Sequence, residues 1–208
     1  MAAYVISSLA GLARQILVTH AFGAGDALDA FTSANRVSET LFNLIAGGAL
    51  SSAFVPVFAA FLTRDDRKGA WRLASSLLNI IFLAVSLLAA IAAFAAPQVV
   101  RYALASGFSE RPEQFALTVK LLRLILPSAV IFAVSGLSMS ILNSHQVFLA
   151  PALTPSMYQL GLIFGVTVLR PWGIEGLAWG VLLGSVLHLG LQIPALLKLR
   201  GRYSLELG

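Results

Sequence analysis

The sequence predicts an all-α fold, a polytopic transmembrane helical bundle of about six helices, and three observations predict it. Hydrophobic residues make up 58% of the 208-residue chain and charged residues only 11%, against roughly half and a quarter in soluble domains. Mean hydropathy is +0.87. The charge is also absent over long runs: Leu73 to Ala96, Leu124 to Leu169 and Gly176 to Leu197 contain no Asp, Glu, Lys or Arg. A bilayer core about 30 Å thick needs roughly 20 mostly apolar residues in helical form, and each run meets that length.

The expected spans are Ala2 to Phe22, Ala27 to Leu62, Leu73 to Val100, Lys120 to Leu142, Phe148 to Leu169 and Gly173 to Leu197. The first resembles a signal peptide only superficially. It lacks a basic leading region, carries Arg14 in mid-run and continues into another apolar helix. The second is too long for one straight span, so a bend at Gly47 and Gly48 or an interfacial turn before Pro56 is expected. The longest charge-free run is interrupted by Asn143, Ser144, His145 and Gln146, which predicts a tight turn between two antiparallel spans. Glycines recur within the spans, among them Gly11, Gly136, Gly161, Gly165, Gly180 and Gly184. They allow helices to approach closely in lipid.

Orientation follows from basic residues in the short loops. With the N-terminus inside, the inner segments hold Arg64, Arg67, Lys68, Arg72, Lys198, Arg200 and Arg202, and the outer loops hold Arg101, Arg111 and Arg170. Counting Lys120 and Arg123 as external leaves seven against five, which still favours cytoplasmic ends. One membrane domain covers residues 1–208, with Lys198 to Gly208 expected as a cytoplasmic connector.

Other classes are excluded or weakened. The formal net charge of +5 comes from residues gathered at span ends, without the basic stretches and interleaved aromatics of a nucleic-acid surface. No cysteine is present, so neither disulfides nor thiolate metal sites exist. No nucleophile elbow, carboxylate cluster or metal-ligand spacing is visible, so an enzyme is not expected and no cofactor is implied. His145 and His188 each lack a carboxylate nearby in sequence and read as packing or interface residues. Gln159 and Gln192 are polar within spans and fit either a cavity wall or an interhelical hydrogen bond.

The segment FGAGDALDAF, Phe22 to Phe31, followed by AGGALSSAFVPVF, Ala46 to Phe58, resembles the signature of the MurJ/MviN family. Similarity continues through ILN at Ile141 to Asn143, APALTP at Ala150 to Pro155 and the stretch from Gly173 to Leu196. The family belongs to the multidrug, oligosaccharidyl-lipid and polysaccharide exporters, whose members usually carry 12 to 14 spans in two pseudo-symmetric lobes. The resemblance therefore implies the N-terminal lobe of a two-lobe transporter. It also implies flipping of lipid II, an undecaprenyl-pyrophosphate-linked peptidoglycan precursor, across the bacterial cytoplasmic membrane by alternating access. The implied partners are that lipid-linked precursor, the membrane lipids, and a C-terminal lobe or second half-transporter.

A charged pyrophosphate head crossing hydrocarbon needs a hydrated cationic cavity. Arg14, in SLAGLARQI, matches a family arginine facing the central cavity, and its planar fork suits phosphate oxygens. The alternative is snorkelling to an interface. Arg36 aligns with a usually basic family position and Glu39 with one that is often asparagine. Three residues apart on one helix, the two share a face, so an Arg–Glu pair and substrate contact are equally open readings. Asp29 matches the aspartate of the DAF motif and fits either a gate or a helix cap.

The chain also departs from the family pattern. Ser7 and Ser8 stand where Ser-Arg is common, Phe42 and Asn43 near a usual Arg-Arg pair, and Gly47 where an acidic residue is common. Competing readings are an exporter of another lipid-linked saccharide or a drug, and a non-transporting membrane scaffold.

Overall fold

The computed structural model describes residues 2–46, 49–104 and 111–199. They form α1 (Ala2–Phe22), α2 (Asp26–Ala46), α3 (Ala49–Thr63), α4 (Arg67–Phe94), a short α5 (Ala96–Val99) running into a π-helical turn at Val100–Leu104, α6 (Pro112–Ser144), α7 (Leu149–Thr167), a 3-10 turn at Arg170–Trp172, α8 (Ile174–Gly190) and α9 (Ile193–Lys198). The expected bend at Gly47 and Gly48, and positions 200–208 of the expected connector, lie outside the described residues.

Five of the described segments are long and apolar enough to cross a membrane: α1, α4, α6, α7 and the run from α8 through α9. The expected second span does not qualify by composition. At 21 residues α2 has the length, but it carries Asp26, Asp29, Arg36 and Glu39. Its partner establishes the crossing instead. Arg111 at the start of α6 binds Asp26, Ser38 binds Ser128 two-thirds of the way along α2, and Phe54 and Phe58 of α3 share a core cluster with Leu137 and Ile141. The α2–α3 segment thus runs parallel to α6, whose 33 residues extend about 50 Å at 1.5 Å per residue. Six passes result.

Side-chain pairs give the remaining directions. Lys120 meets Glu175 and Ser135 meets His188, so α6 and α8 are parallel. Ser7 meets Ser156 and Gly11 lies against Gln159, so α1 and α7 are parallel. Val85 of α4 packs with Ala129 and Ala133, while Ala70 and Ala74 cluster with Leu137 and Ile141, which makes α4 antiparallel to α6. Helix α6 is the centre of the bundle, buried along most of its length by α2, α3, α4 and α8. By contrast, α1 rests mainly on α7 and leaves Val5, Leu9, Leu12 and Ile16 exposed on one face.

The closest helix pair is α7 with α8. A Cβ on Gly165 would stand 2.7 Å from the Gly176 carbonyl oxygen, and one on Gly180 would stand 2.8 Å from that of Gly161. Side chains at these positions would force the backbones apart, so the glycines set the separation.

Several boundaries differ from the sequence reading. The fourth span begins at Pro112, not Lys120, because Pro112 occupies the first turn and Glu113 favours the positive helix start. The third begins at Arg67, where Asp66 accepts from the Gly69 amide at 2.9 Å, and it ends at Phe94 before Pro97 opens α5. The expected tight turn is present: α6 ends at Ser144, Gln146 takes a left-handed φ of 59°, and α7 starts at Leu149. His145 packs against Phe58 and Trp71, and His188 bonds to Ser135 Oγ at 2.7 Å. Gln192 is fully buried and donates to Ser135 Oγ and the His188 carbonyl, an interhelical bond rather than a cavity wall.

Candidate functional site

The charged residues of α2 follow the helix period. Thr32, Asn35, Arg36 and Glu39 fall on one face, and Ala30, Ala34 and Ser38, four apart, are buried on another. Ser38 Oγ lies 2.8 Å from Ser128 Oγ, which fixes this buried stripe on α6. The charged face consequently turns away from α6, toward a cavity of roughly 300 Å³.

Arg14 and Gln15 from α1, and Thr32, Asn35, Arg36 and Glu39 from α2, line the cavity; Leu162 of α7 and Leu177 of α8 form its apolar floor. Three of the four site residues expected from sequence, Arg14, Arg36 and Glu39, are therefore brought together. Arg14 Nη2 donates to Gln15 Oε1 at 3.3 Å, while its buried Nε has no hydrogen-bond partner.

Arg36 and Glu39 share the cavity without forming an ion pair with each other. Asn35 Nδ2 donates to Glu39 Oε1 at 2.7 Å, one turn along α2. Asn35, whose carboxamide competes for the acid, was missed from the sequence because its position carries no charge. The site holds two guanidinium groups and one carboxylate, a formal excess of one positive charge. Such groups in a partly enclosed cavity attract an anion and present a planar donor fork to its oxygens.

Asp29 lies elsewhere. It is exposed in the first turn of α2 and does not line the cavity. Nor is it the cap, since the helix starts at Asp26. Asp26 makes the interhelical contact at that end, receiving Arg111 Nη1 at 2.9 Å, while Gln114 Nε2 donates to its carbonyl at 3.3 Å. A second ion pair, Lys120 to Glu175 at 2.6 Å, ties α6 to α8. Spacings of 85 and 55 residues make both pairs invisible to local pattern.

A six-pass bundle, among the described residues, with a charged cavity set against an apolar floor defines a polytopic membrane protein built like one lobe of a transporter. The family model described as lipid II flippase MurJ matches residues 18–207. The chain belongs to the MurJ family. It is 32% identical over 197 residues to the lipid II flippase MurJ of Burkholderia cenocepacia, covering 93% of this chain and 38% of that protein. To the lipid II flippase MurJ of Thermosipho africanus it is 31% identical over 192 residues, covering 92% and 39%. A solved structure, lipid II flippase MurJ in an inward closed conformation, superposes with a TM-score of 0.82 at 29% identity, covering 99% of this chain and 42% of that one. The chain thus spans about two-fifths of the length of these relatives.

Proposed function

We propose that this chain is the N-terminal lobe of a flippase that carries lipid II, a polyprenyl-pyrophosphate-linked peptidoglycan precursor, across the bacterial cytoplasmic membrane by alternating access. In this reading the N-terminus is cytoplasmic, residues 1–208 form one membrane domain, and a second lobe like that of the longer relatives closes the cavity from the opposite side. Physical positioning and desolvation do the work, and no covalent step is involved.

The cavity that joins Arg14 to Arg36 carries the reading. Moving a pyrophosphate into a region without bulk water costs the hydration of its charges, and fixed guanidinium groups offset that loss. Arginine keeps its charge there and offers two parallel donors to adjacent oxygens. Glu39, tied to Asn35, tempers the field so that the anion is held without being trapped, a requirement for release on the far side. Asp29 near the first turn of α2 is assigned to the gate at the opposite end, beside the Asp26–Arg111 pair.

The test is complementation in cells depleted of their own flippase, with lipid II translocation and membrane expression scored together. Arg14→Ala in the full-length protein is expected to express normally and to lose translocation. Wild-type translocation by that variant would refute the assignment.

A further inference from the structure

A second group of basic residues surrounds a groove that shares no lining residue with the α1–α2 cavity. Lys120 and Arg123 line it, at roughly 440 Å³, with Pro97, Phe115, Ala116 and Val119. Lys120 is tied to Glu175 of α8, and Arg123 Nε donates to the Ala93 carbonyl of α4 at 3.0 Å, so the groove lies where the end of α4 and the start of α8 meet α6. Arg101, on the π-helical turn, stands over Phe115 with its guanidinium carbon 5.8 Å from the ring centroid. Among the described residues, Arg101 and Arg123 have no acidic partner. The acids in the first turns of α2 and α6, Asp26 and Glu113, line a separate pocket with Arg111.

Helix lengths set the depth of this groove in the bilayer. From Arg123 to its end at Ser144, α6 rises about 31 Å at 1.5 Å per residue, which matches a hydrocarbon core of about 30 Å. Helix α4 ends and α8 begins at the same level, because Ala93 and Glu175 touch Arg123 and Lys120. Tyr102 and Trp172 are exposed in the adjoining turns, and these residue types favour the membrane interface. Lys120 and Arg123 therefore stand at headgroup level, where a cation meets phosphate instead of hydrocarbon.

We infer that this groove binds an anionic phospholipid of the leaflet at this end, the outer one in the orientation proposed above. Arg101 and Arg123 hold its phosphodiester, and Pro97, Phe115 and Val119 pack against its glycerol and first acyl carbons. Charge and shape both fit. The bond to Ala93 uses only Nε of Arg123, which leaves the two terminal nitrogens as a fork for phosphate oxygens. With Glu175 offsetting Lys120, the two remaining guanidinium charges face one negative headgroup. A lipid seated there joins the π-helical turn to α6 and α4 as a resident part of the fold. The site does not depend on what the α1–α2 cavity carries, so this inference and the flippase reading fail separately.

The test is the lipid preference of the full-length protein in nanodiscs, read at the groove. A fluorophore on Tyr102→Cys, in a background freed of other cysteines, reports quenching by headgroup-level spin-labelled phosphatidylglycerol against the same label on phosphatidylcholine. The labelled parent is expected to prefer phosphatidylglycerol by about tenfold or more, and Arg101→Gln and Arg123→Gln should each cut that preference about fivefold. Arg101→Gln leaves the Arg123 bond to Ala93 in place, so it tests the site without loosening α4 from α6. Arg111→Gln removes the same charge from the neighbouring pocket and should leave the preference unchanged. No preference in the parent, no change in both groove variants, or an equal loss in Arg111→Gln would overturn the site. Displacement of the quencher more readily by undecaprenyl pyrophosphate than by phosphatidylglycerol would give the groove to the cargo and overturn the phospholipid assignment.

Discussion

Asn35 holds Glu39 across one turn of α2, its Nδ2 2.7 Å from the carboxylate oxygen, and Arg36 between them is left facing the cavity without that acid as a partner. The relationship bears on two readings that spacing alone leaves equal. An Arg–Glu pair at this separation would have neutralised itself, whereas the observed arrangement leaves the guanidinium available to an anion.

Arg36→Gln is therefore expected to impair translocation strongly, by about tenfold or more for a charged hydrogen bond worth roughly 1.5–3 kcal/mol. Adding Glu39→Gln should not restore the loss, because the acid is not left unpaired by the first change. Full rescue by the double variant, with expression unchanged, would show that the two residues act as a neutralising pair.

Arg14→Lys retains the charge but not the planar fork. Translocation should fall to an intermediate level, between wild type and Arg14→Ala, at constant membrane expression. Equal activity of Lys and Arg at this position would mean that a point charge suffices.

The glycine seam predicts a folding defect rather than a transport defect. Gly165→Ala places a methyl group where the Gly176 carbonyl oxygen stands 2.7 Å away, and overpacking of this kind costs about 1–3 kcal/mol. Thermal unfolding of the purified full-length protein should shift downward. Gly25→Ala, with nothing within 4 Å of the added Cβ, serves as the control and should unfold at the wild-type temperature.

The Asp26–Arg111 pair is exposed, with side chains 66% and 63% accessible. A double-mutant cycle on stability should give a coupling of only about 0.2–1 kcal/mol. A larger value would mean that the contact is desolvated in the membrane-embedded, full-length protein.

Topology is open to labelling because the chain has no cysteine. With the N-terminus cytoplasmic, Lys68→Cys at the start of α4 should be protected from an impermeant reagent in intact cells, and Glu113→Cys at the start of α6 should react. The reverse pattern would invert the proposed orientation.

The sequence by itself determined the membrane class, the limits of α1, the turn after α6 and the helices bearing Arg14 and Arg36. Runs without charge and the 3.6-residue period are local properties, and a bilayer makes them stringent because it leaves the backbone no solvent to bond. The motif at Phe22–Phe31 added the family. Only the tertiary structure decided which polar residues meet. Asp26 and Arg111 are 85 positions apart, Ser38 and Ser128 are 90 apart, and no pattern along the chain reports a contact created by packing α2 between α6 and the cavity. Glu39 illustrates the division: its helix and face were legible from its spacing to Arg36, but its partner was not. Which of two neighbouring side chains reaches a carboxylate is settled by rotamers and by the space left once the helices have packed.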